Sequence, residues 1–412
     1  MTEPRSLHVL VAGGGLAGLA VAQGLLRSGH TVEVFERDGD FHRKQGYYLH
    51  FNPIGGEALR RVLPDDLYEL YLETSRETYE RHESIVLTSQ FDEITSRPHM
   101  GPPNTGPRPH TGVHRMTLRQ IMSSRLGDSL RLGVAVTGFE EDEDGVTARL
   151  SDGTTAHGDL LVGADGIKSA VRTQLMPDVP VIPTGIKGIG VYGRTPITPE
   201  LDELLPDILN NGVLMAVDQK GARLLVATFR PRQLADEAAK DIAPDVELDR
   251  VQPYVMVSCT VEPGTVVPPA SEWTDDTALE LRESMRRSVE DWHPAAAALV
   301  SGMEPDSIFA IPFGFLEPRE DWESSRVTIV GDAAHGMLPT LGMGANLSLN
   351  DGALLVEQLD QYARGEVDLL DAVGAYERQM REAAYPILRM TLDHDTNFGG
   401  GGLAKAGQAG GE

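Results

Sequence analysis

Val11-Ala12-Gly13-Gly14-Gly15-Leu16-Ala17-Gly18 follows an apolar run at residues 7–11 and opens a second apolar stretch at residues 16–26. That order encodes a buried strand, a glycine turn and a helix. Gly13 suits the tight turn, Gly15 lets the backbone approach a pyrophosphate, and Gly18 lets the helix pack closely on the strand. Leu16 and Ala17 lie in the first helical turn, whose unsatisfied N–H groups point at phosphate oxygens. Residues 31–35 read as the return strand and end at Glu36, whose carboxylate is the expected acceptor for a ribose hydroxyl.

Two further glycine-bearing segments occur downstream, each behind a short apolar run: Gly163-Ala164-Asp165-Gly166, and Gly331-Asp332-Ala333-Ala334-His335. The first segment alone announces only a dinucleotide. The three in this order read as an FAD site. Between them the chain alternates elements. Residues 57–63 and 67–74 look helical around a break at Pro64, residues 84–88 look like a strand, and residues 97–111 are dense in proline and glycine, so they should continue neither helix nor sheet. A helix beginning near Arg115 can place Leu118, Ile121, Met122 and Leu126 on one face. From residue 130 an antiparallel meander of three strands is expected, with hairpin turns at Asp144-Gly145 and Asp152-Gly153. Residues 186–194, 212–217, 222–229 and 254–261 are candidate strands of a second, antiparallel region, with the polar segment 233–249 capping or bridging them. Without register its inward face is open; Tyr192, Met215, Arg230 and Phe313 are candidates, each equally readable as core or surface. A helix is expected at residues 278–291.

After the last glycine segment, Pro339 and Gly342 permit an extended loop, and a helix from about residue 347 carries an apolar stripe that Asp351 interrupts. The start of that helix, at Gly344, Ala345 and Asn346, can stabilise negative charge. Arg37, His42, Arg43 and Lys44 form a basic cluster next to the expected adenosine site, readable as an anion contact or as ordinary exposed bases.

Composition bounds the rest. The chain has 412 residues, 41% of them hydrophobic, enough for more than one sizeable core. Its single cysteine, Cys259, excludes an intramolecular disulfide framework and a cysteine-based metal cluster. A formal charge of −26 argues against nucleic acid and anionic membrane as partners. The first strand starts too early to leave room for a signal peptide, and no apolar run is long enough to span a bilayer, so a cytoplasmic location is expected. Nothing has metal-ligand spacing.

The motif order, with an Arg-x-x-Leu helix start at Arg115, resembles the single-component FAD-dependent aromatic hydroxylases, the para-hydroxybenzoate hydroxylase superfamily, and within it the tetracycline-inactivating and natural-product monooxygenases. The resemblance covers residues 7 to about 365, the middle matching only in general pattern. It implies an α/β (α+β) fold: a Rossmann-like FAD-binding domain with an interleaved antiparallel-sheet substrate domain and C-terminal helices. The division expected is 1–74, 111–177 and 276–365 for FAD binding, 75–110 and 178–275 for substrate, 366–398 for a C-terminal helix, and 399–412 for a flexible tail. Carried onto this chain, it places Gly13, Gly15 and Gly18 around the pyrophosphate and Glu36 on the adenine ribose. Arg115 would contact the cofactor, Asp165 would serve both FAD and the pyridine nucleotide, and Asp332 would bind ribityl or ribose hydroxyls. Pro339 and Gly342 would lie beside the isoalloxazine. Asp165 is also readable as a turn residue, Arg115 as a surface charge and Asp332 as a helix cap.

The activity implied is oxygenation of an aromatic or polyketide-like molecule with NADPH or NADH and O2, through a C4a-hydroperoxyflavin, by a monomer or weak homodimer. The flavin carries the chemistry, so no catalytic side chain is assigned; His335 is expected to be structural. A flavin-dependent halogenase is disfavoured because Trp273, Trp292 and Trp322 are far apart in sequence. A reductase or dehydrogenase on the same scaffold, or a non-catalytic FAD-binding protein, remains the alternative.

Overall fold

The structure, a computed structural model, describes residues 5–40, 47–77, 81, 83–103, 110–183, 190–261, 265, 267–268, 273–311, 313–320 and 322–398. Five parallel strands form the first sheet, in the order Val327–Ile329, Leu160–Gly163, His8–Ala12, Thr31–Glu36 and Leu130–Leu132. Parallel sheets need cover on both faces, and the strands are accordingly near-continuous in apolar residues. The helix Leu16–Arg27 packs tightly on the helix Gly344–Ala363. A Cβ on Gly24 would stand 2.7 Å from Val356, and one on Gly352 would stand 2.7 Å from Ala20, so small residues set this helix separation. The helix Leu369–Phe398 closes the layer, its Tyr376 hydroxyl donating to the Ile329 carbonyl at 2.8 Å.

The second sheet has seven strands in the order Phe309–Ile311, Gly190–Pro196, Tyr254–Cys259, Arg223–Phe229, Gly212–Val217, Glu83–Thr88 and Glu93–Pro98. All neighbours are antiparallel except Gly212–Val217 with Glu83–Thr88. Leu214, Val226 and Val257 belong to a core shared with Leu281, Met285, Leu299 and Val300, so the helices Asp275–Ser288 and Pro294–Ser301 cover that face. The opposite face carries a smaller aromatic cluster in which Phe229, Tyr254, Met256 and Phe309 meet Tyr47 and Tyr48, at the start of the strand Tyr48–Phe51. This face therefore looks toward the parallel sheet's half of the molecule. None of the helices among the described residues is long and apolar enough to cross a membrane.

Several expectations need correction. The meander comprises Val136–Glu141, Val146–Leu150 and Thr155–Gly158, whereas Leu130–Leu132 joins the parallel sheet as its edge strand. Gly133, at φ +75°, donates its N–H to the Asp38 carbonyl and turns the chain out of that sheet before the meander begins. The proline-rich stretch does not begin as a loop. Arg97 and Pro98 end an edge strand, where a proline leaves no ladder partner unsatisfied, and Thr111 begins the strand Thr111–His114, paired with Tyr48–Phe51. The segment 233–249 contains the helix Ala235–Ile242, whose Ala235, Ala238 and Ala239 enter the larger core. Residues 186–189, the start of one expected strand, and the tail 399–412 lie outside the described residues.

Candidate flavin site

The parallel strands all end at one edge of their sheet, where an open α/β sheet presents its ligand crevice. The three glycine segments meet there. Gly13 adopts φ +105°, and a Cβ on it would lie 2.5 Å from the Ala164 carbonyl oxygen and 2.9 Å from Asp165 Cα. A Cβ on Gly18 would lie 2.0 Å from the Gly13 carbonyl oxygen, which is the close helix-on-strand contact its position suggested. Gly331, at φ +60°, sits where a Cβ would meet Ala17 at 2.9 Å. Around Gly15, by contrast, a Cβ would meet nothing within 4 Å, and the helix behind it has no side-chain cap. Open space in front of free N–H groups is what a phosphate requires.

Glu36 is buried at the end of its strand. Its Oε1 accepts from the Asp38 N–H at 2.9 Å, while Oε2 accepts from the Gly14 N–H at 2.9 Å and from Arg119 Nη2 at 2.8 Å. Arg119 Nε also donates to the Gly14 carbonyl at 2.8 Å. The carboxylate thus holds the glycine turn in shape, and one lone-pair position on Oε1 is left for a hydroxyl. Arg37 is exposed, with Nε 3.8 Å from Asp38 Oδ1. Arg43, with His42 and Lys44, lies outside the described residues.

Asp165 is a turn residue with one carboxylate oxygen to spare. Its Oδ2 accepts from the Ala170 N–H at 2.7 Å and so starts the helix Ala170–Leu175, while its Oδ1 is buried with no hydrogen bond. Asp332 begins the short helix Asp332–His335. Its side chain is exposed at the edge where the parallel strands end, and no hydrogen bond reaches its carboxylate from the described residues. Burial pushes its pKa up; the charges of His335 and Arg115 oppose the rise and that of Asp351 adds to it. Arg115, at the start of the helix Arg115–Ser123, therefore lies within electrostatic reach of Asp332, and its own N–H donates to the Tyr47 carbonyl at 2.8 Å.

Pro339 and Gly342 do not form an extended loop. Residues Pro339–Leu341 make a 3-10 turn closed by the Gly342 N–H on the Pro339 carbonyl, with Gly342 at φ +64°. The turn delivers the chain to Gly344 and Ala345, the first residues of a 20-residue helix that has no capping side chain. Asn346 does not face outward. Its amide Nδ2 donates to the His50 and Gly342 carbonyls, both at 3.0 Å, and its Oδ1 accepts from the Asn52 N–H at 2.9 Å, tying the helix start to the strand Tyr48–Phe51.

Sequence reasoning missed three features. Arg119 is one helical turn beyond Arg115, and an arginine beside the apolar positions 118 and 122 was the available signal. Asp351, noted only as a flaw in a stripe, is fully buried against His335, with 2.7 Å between Oδ2 and Nε2. His50, His99 and His110 gather beside Ser84 on the second sheet's face turned toward the parallel sheet, His50 Nε2 lying 3.0 Å from His110 Nδ1. No sequence spacing joins them.

The residues present fit a flavin dinucleotide: a glycine cradle, an acceptor at the second strand, an unengaged cleft carboxylate and an uncapped helix start. Comparison with known proteins agrees. Residues 68–236 and 316–390 match the family described as FAD binding domain. The chain is 30% identical over 399 residues to the dual O-methyltransferase/FAD-dependent monooxygenase CTB3 of Cercospora beticola, an alignment covering 92% of this chain and 45% of that protein. It is 28% identical over 388 residues to the chloroplastic zeaxanthin epoxidase of Nicotiana plumbaginifolia, covering 90% and 52%. The chain thus spans about half the length of the curated relatives it matches. Among solved structures, a candidate FAD containing monooxygenase from Photorhabdus luminescens subsp. laumondii superposes with a TM-score of 0.79 at 25% identity, covering 96% of this chain and 99% of that one. Klebsiella pneumoniae HpxO, solved with FAD and uric acid, shares the fold with a TM-score of 0.73 at 21% identity, covering 98% and 91%. The chain belongs to the FAD binding domain family and is similar to FAD-dependent monooxygenases.

Proposed function

We propose that this protein is an FAD-dependent monooxygenase that uses NADPH or NADH and O2 to oxygenate an aromatic or polyketide-like small molecule. The observation that carries the reading is the Asp332 carboxylate, open to the cleft and without a hydrogen bond from the described residues, at the meeting point of three glycine segments. An exposed carboxylate that no protein donor engages is free to accept hydroxyls, and those of a ribityl chain are such donors. The free N–H groups after Gly15 would take the pyrophosphate, and Glu36 the adenine ribose. Asp165, through its unused Oδ1, would add a second acceptor. Arg37 and Arg43 are the candidates for the adenosine end or the pyridine nucleotide. The helix start at Gly344 and Ala345 would favour negative charge on the ring edge it faces. Bound FAD would supply hydride acceptance from the pyridine nucleotide and activation of O2.

The substrate class rests on register. Tyr192 pairs with Ser258, Ser258 with Leu225, Leu225 with Met215, and Met215 with Val86, and residues directly opposite share a face. These five are half-buried, and they lie on the face turned toward the parallel sheet's half, beside the more deeply buried Met256 and Ala227. Tyr192 also stacks on Phe309, with centroids 5.6 Å apart. Such a mostly apolar strip suits a flat, weakly polar ligand and would help exclude water from it. Of the other candidates, Arg230 points elsewhere, to Asp202. A cytoplasmic enzyme acting as a monomer or weak homodimer completes the proposal.

The test is NADH and NADPH oxidation with O2 uptake across phenols, polyketides and tetracyclines. Substrate-stimulated oxidation with a product heavier by one oxygen supports it. Bound FAD with reduction of the substrate and no oxygen consumed would favour the reductase alternative, and bound FAD with no pyridine nucleotide oxidation a non-catalytic role.

A further inference from the structure

The helix Gly344–Ala363 turns Asp351 into the interior, where both it and His335 are fully buried. Asp351 Oδ2 accepts the Gly331 N–H at 2.8 Å and faces His335 Nε2 at 2.7 Å. A carboxylate can only accept, so Nε2 carries the proton. Gly331 is in turn pressed between Ala17 and Ser348, each 2.9 Å from where its Cβ would be. The residue after it is Asp332. We propose that Asp351 and His335 are positioning residues: the pair holds the Gly331–Asp332 turn in the place from which the Asp332 carboxylate accepts a flavin hydroxyl. The inference rests on the FAD reading and goes beyond it in assigning a role to two residues that would not touch the flavin.

Stability does not account for the pair. Asp351 Oδ1 and His335 Nδ1 are both buried without a hydrogen bond, and apolar side chains of equal volume commonly serve a core as well as a buried ion pair. The consequence lies in the turn: Asp351 Oδ2 is the one acceptor shared by the Gly331 N–H and the His335 Nε2–H, so a single carboxylate on the helix Gly344–Ala363 fixes both ends of the short segment that carries Asp332.

Asp351→Asn separates charge from shape, because an asparagine oxygen can still accept the Gly331 N–H; Asp351→Leu removes both. Flavin fluorescence titration of the full chain, with Tm as the check on folding, reads the outcome. Asp351→Asn should keep the wild-type affinity, whereas Asp351→Leu should lose about tenfold, the scale of one hydrogen bond to a charged group. Wild-type affinity in a folded Asp351→Leu, or a loss in Asp351→Asn as large as in Asp351→Leu, overturns the proposal. Histidine NMR on the flavin-free chain gives a second reading: the His335 Nε2–H should be protected from exchange in the wild type and lose that protection in Asp351→Leu. A His335 ring that carries its proton only on Nδ1 in the wild type sinks the proposal whatever the flavin does. A wild-type chain that takes up no FAD sinks instead the reading on which it rests.

Discussion

Arg119 Nη2 and Glu36 Oε2 lie 2.8 Å apart beneath the glycine turn, their side chains 4% and 8% exposed. The pair joins the second strand of the parallel sheet to the helix Arg115–Ser123, and both side chains also bond to Gly14, so the turn is held from below by charge-assisted hydrogen bonds. Removing one member leaves the other buried and uncompensated. Arg119→Leu should destabilise the fold by about 3 kcal/mol, measured by urea denaturation, and should lower flavin occupancy by loosening the turn.

The two glycines flanking the first helical turn should respond in opposite ways. Gly18→Ala puts a methyl group 2.0 Å from a backbone oxygen that cannot swing away, so soluble expression or thermal stability should fall sharply. Gly15→Ala meets no protein atom within 4 Å and should change Tm little, while weakening FAD binding because the methyl group enters the space assigned to phosphate. Parallel melting curves and flavin titrations of the two variants check the contrast.

Asp332 should show a trade between stability and binding. Its pKa is raised by burial, so the folded chain binds that proton more tightly than the unfolded chain does, and the ionised form opposes folding at neutral pH. Asp332→Asn should therefore raise the Tm of the flavin-free protein at neutral pH, a gain that shrinks as pH falls toward the range where the wild-type carboxyl is protonated. The same variant should bind FAD more weakly, since the amide is a poorer acceptor for a hydroxyl. A variant with unchanged flavin stoichiometry and affinity would remove Asp332 from the site.

His114 governs acid stability. Burial, with the charge of Arg194 adding, lowers its pKa to about 3, and its Nδ1 lies 2.9 Å from the Tyr254 hydroxyl. A histidine whose folded pKa is depressed costs nothing above its unfolded pKa and progressively destabilises the fold as pH drops below it. His114→Asn should lose some packing at neutral pH but show a shallower fall in stability between about pH 6 and about pH 4. Denaturation curves at three pH values across that window check the slope.

The glycine segments were legible in the sequence because each requirement is local: a turn, a close approach, a helix start. Glu36 was legible for the same reason, at the end of a recognisable strand. Arg119, Asp351 and the gathering of His50, His99 and His110 were not, because each depends on contacts between elements far apart in the chain. Asp351 pairs with a residue 16 positions earlier across a turn and a helix, and nothing in an amphipathic pattern distinguishes a buried ion pair from a misplaced charge. The apolar strip proposed for the substrate was hidden for a different reason. Tyr192 and Met215 could be named as candidates, but a one-residue change of register moves a whole strand's side chains to the other face, and only the observed pairing decides it. The edge strand Leu130–Leu132 was drawn into the wrong sheet because three apolar-alternating residues carry no mark of parallel or antiparallel partners.

The central claim is that this cleft holds FAD for oxygen chemistry, and the visible spectrum of the purified chain, with released flavin counted per protein, tests it most directly. The account predicts a yellow protein with one equivalent of FAD, or a colourless one that takes up one equivalent when FAD is added, bleached by NADPH or NADH and recoloured by air. A folded chain that stays colourless and binds no added FAD would contradict it.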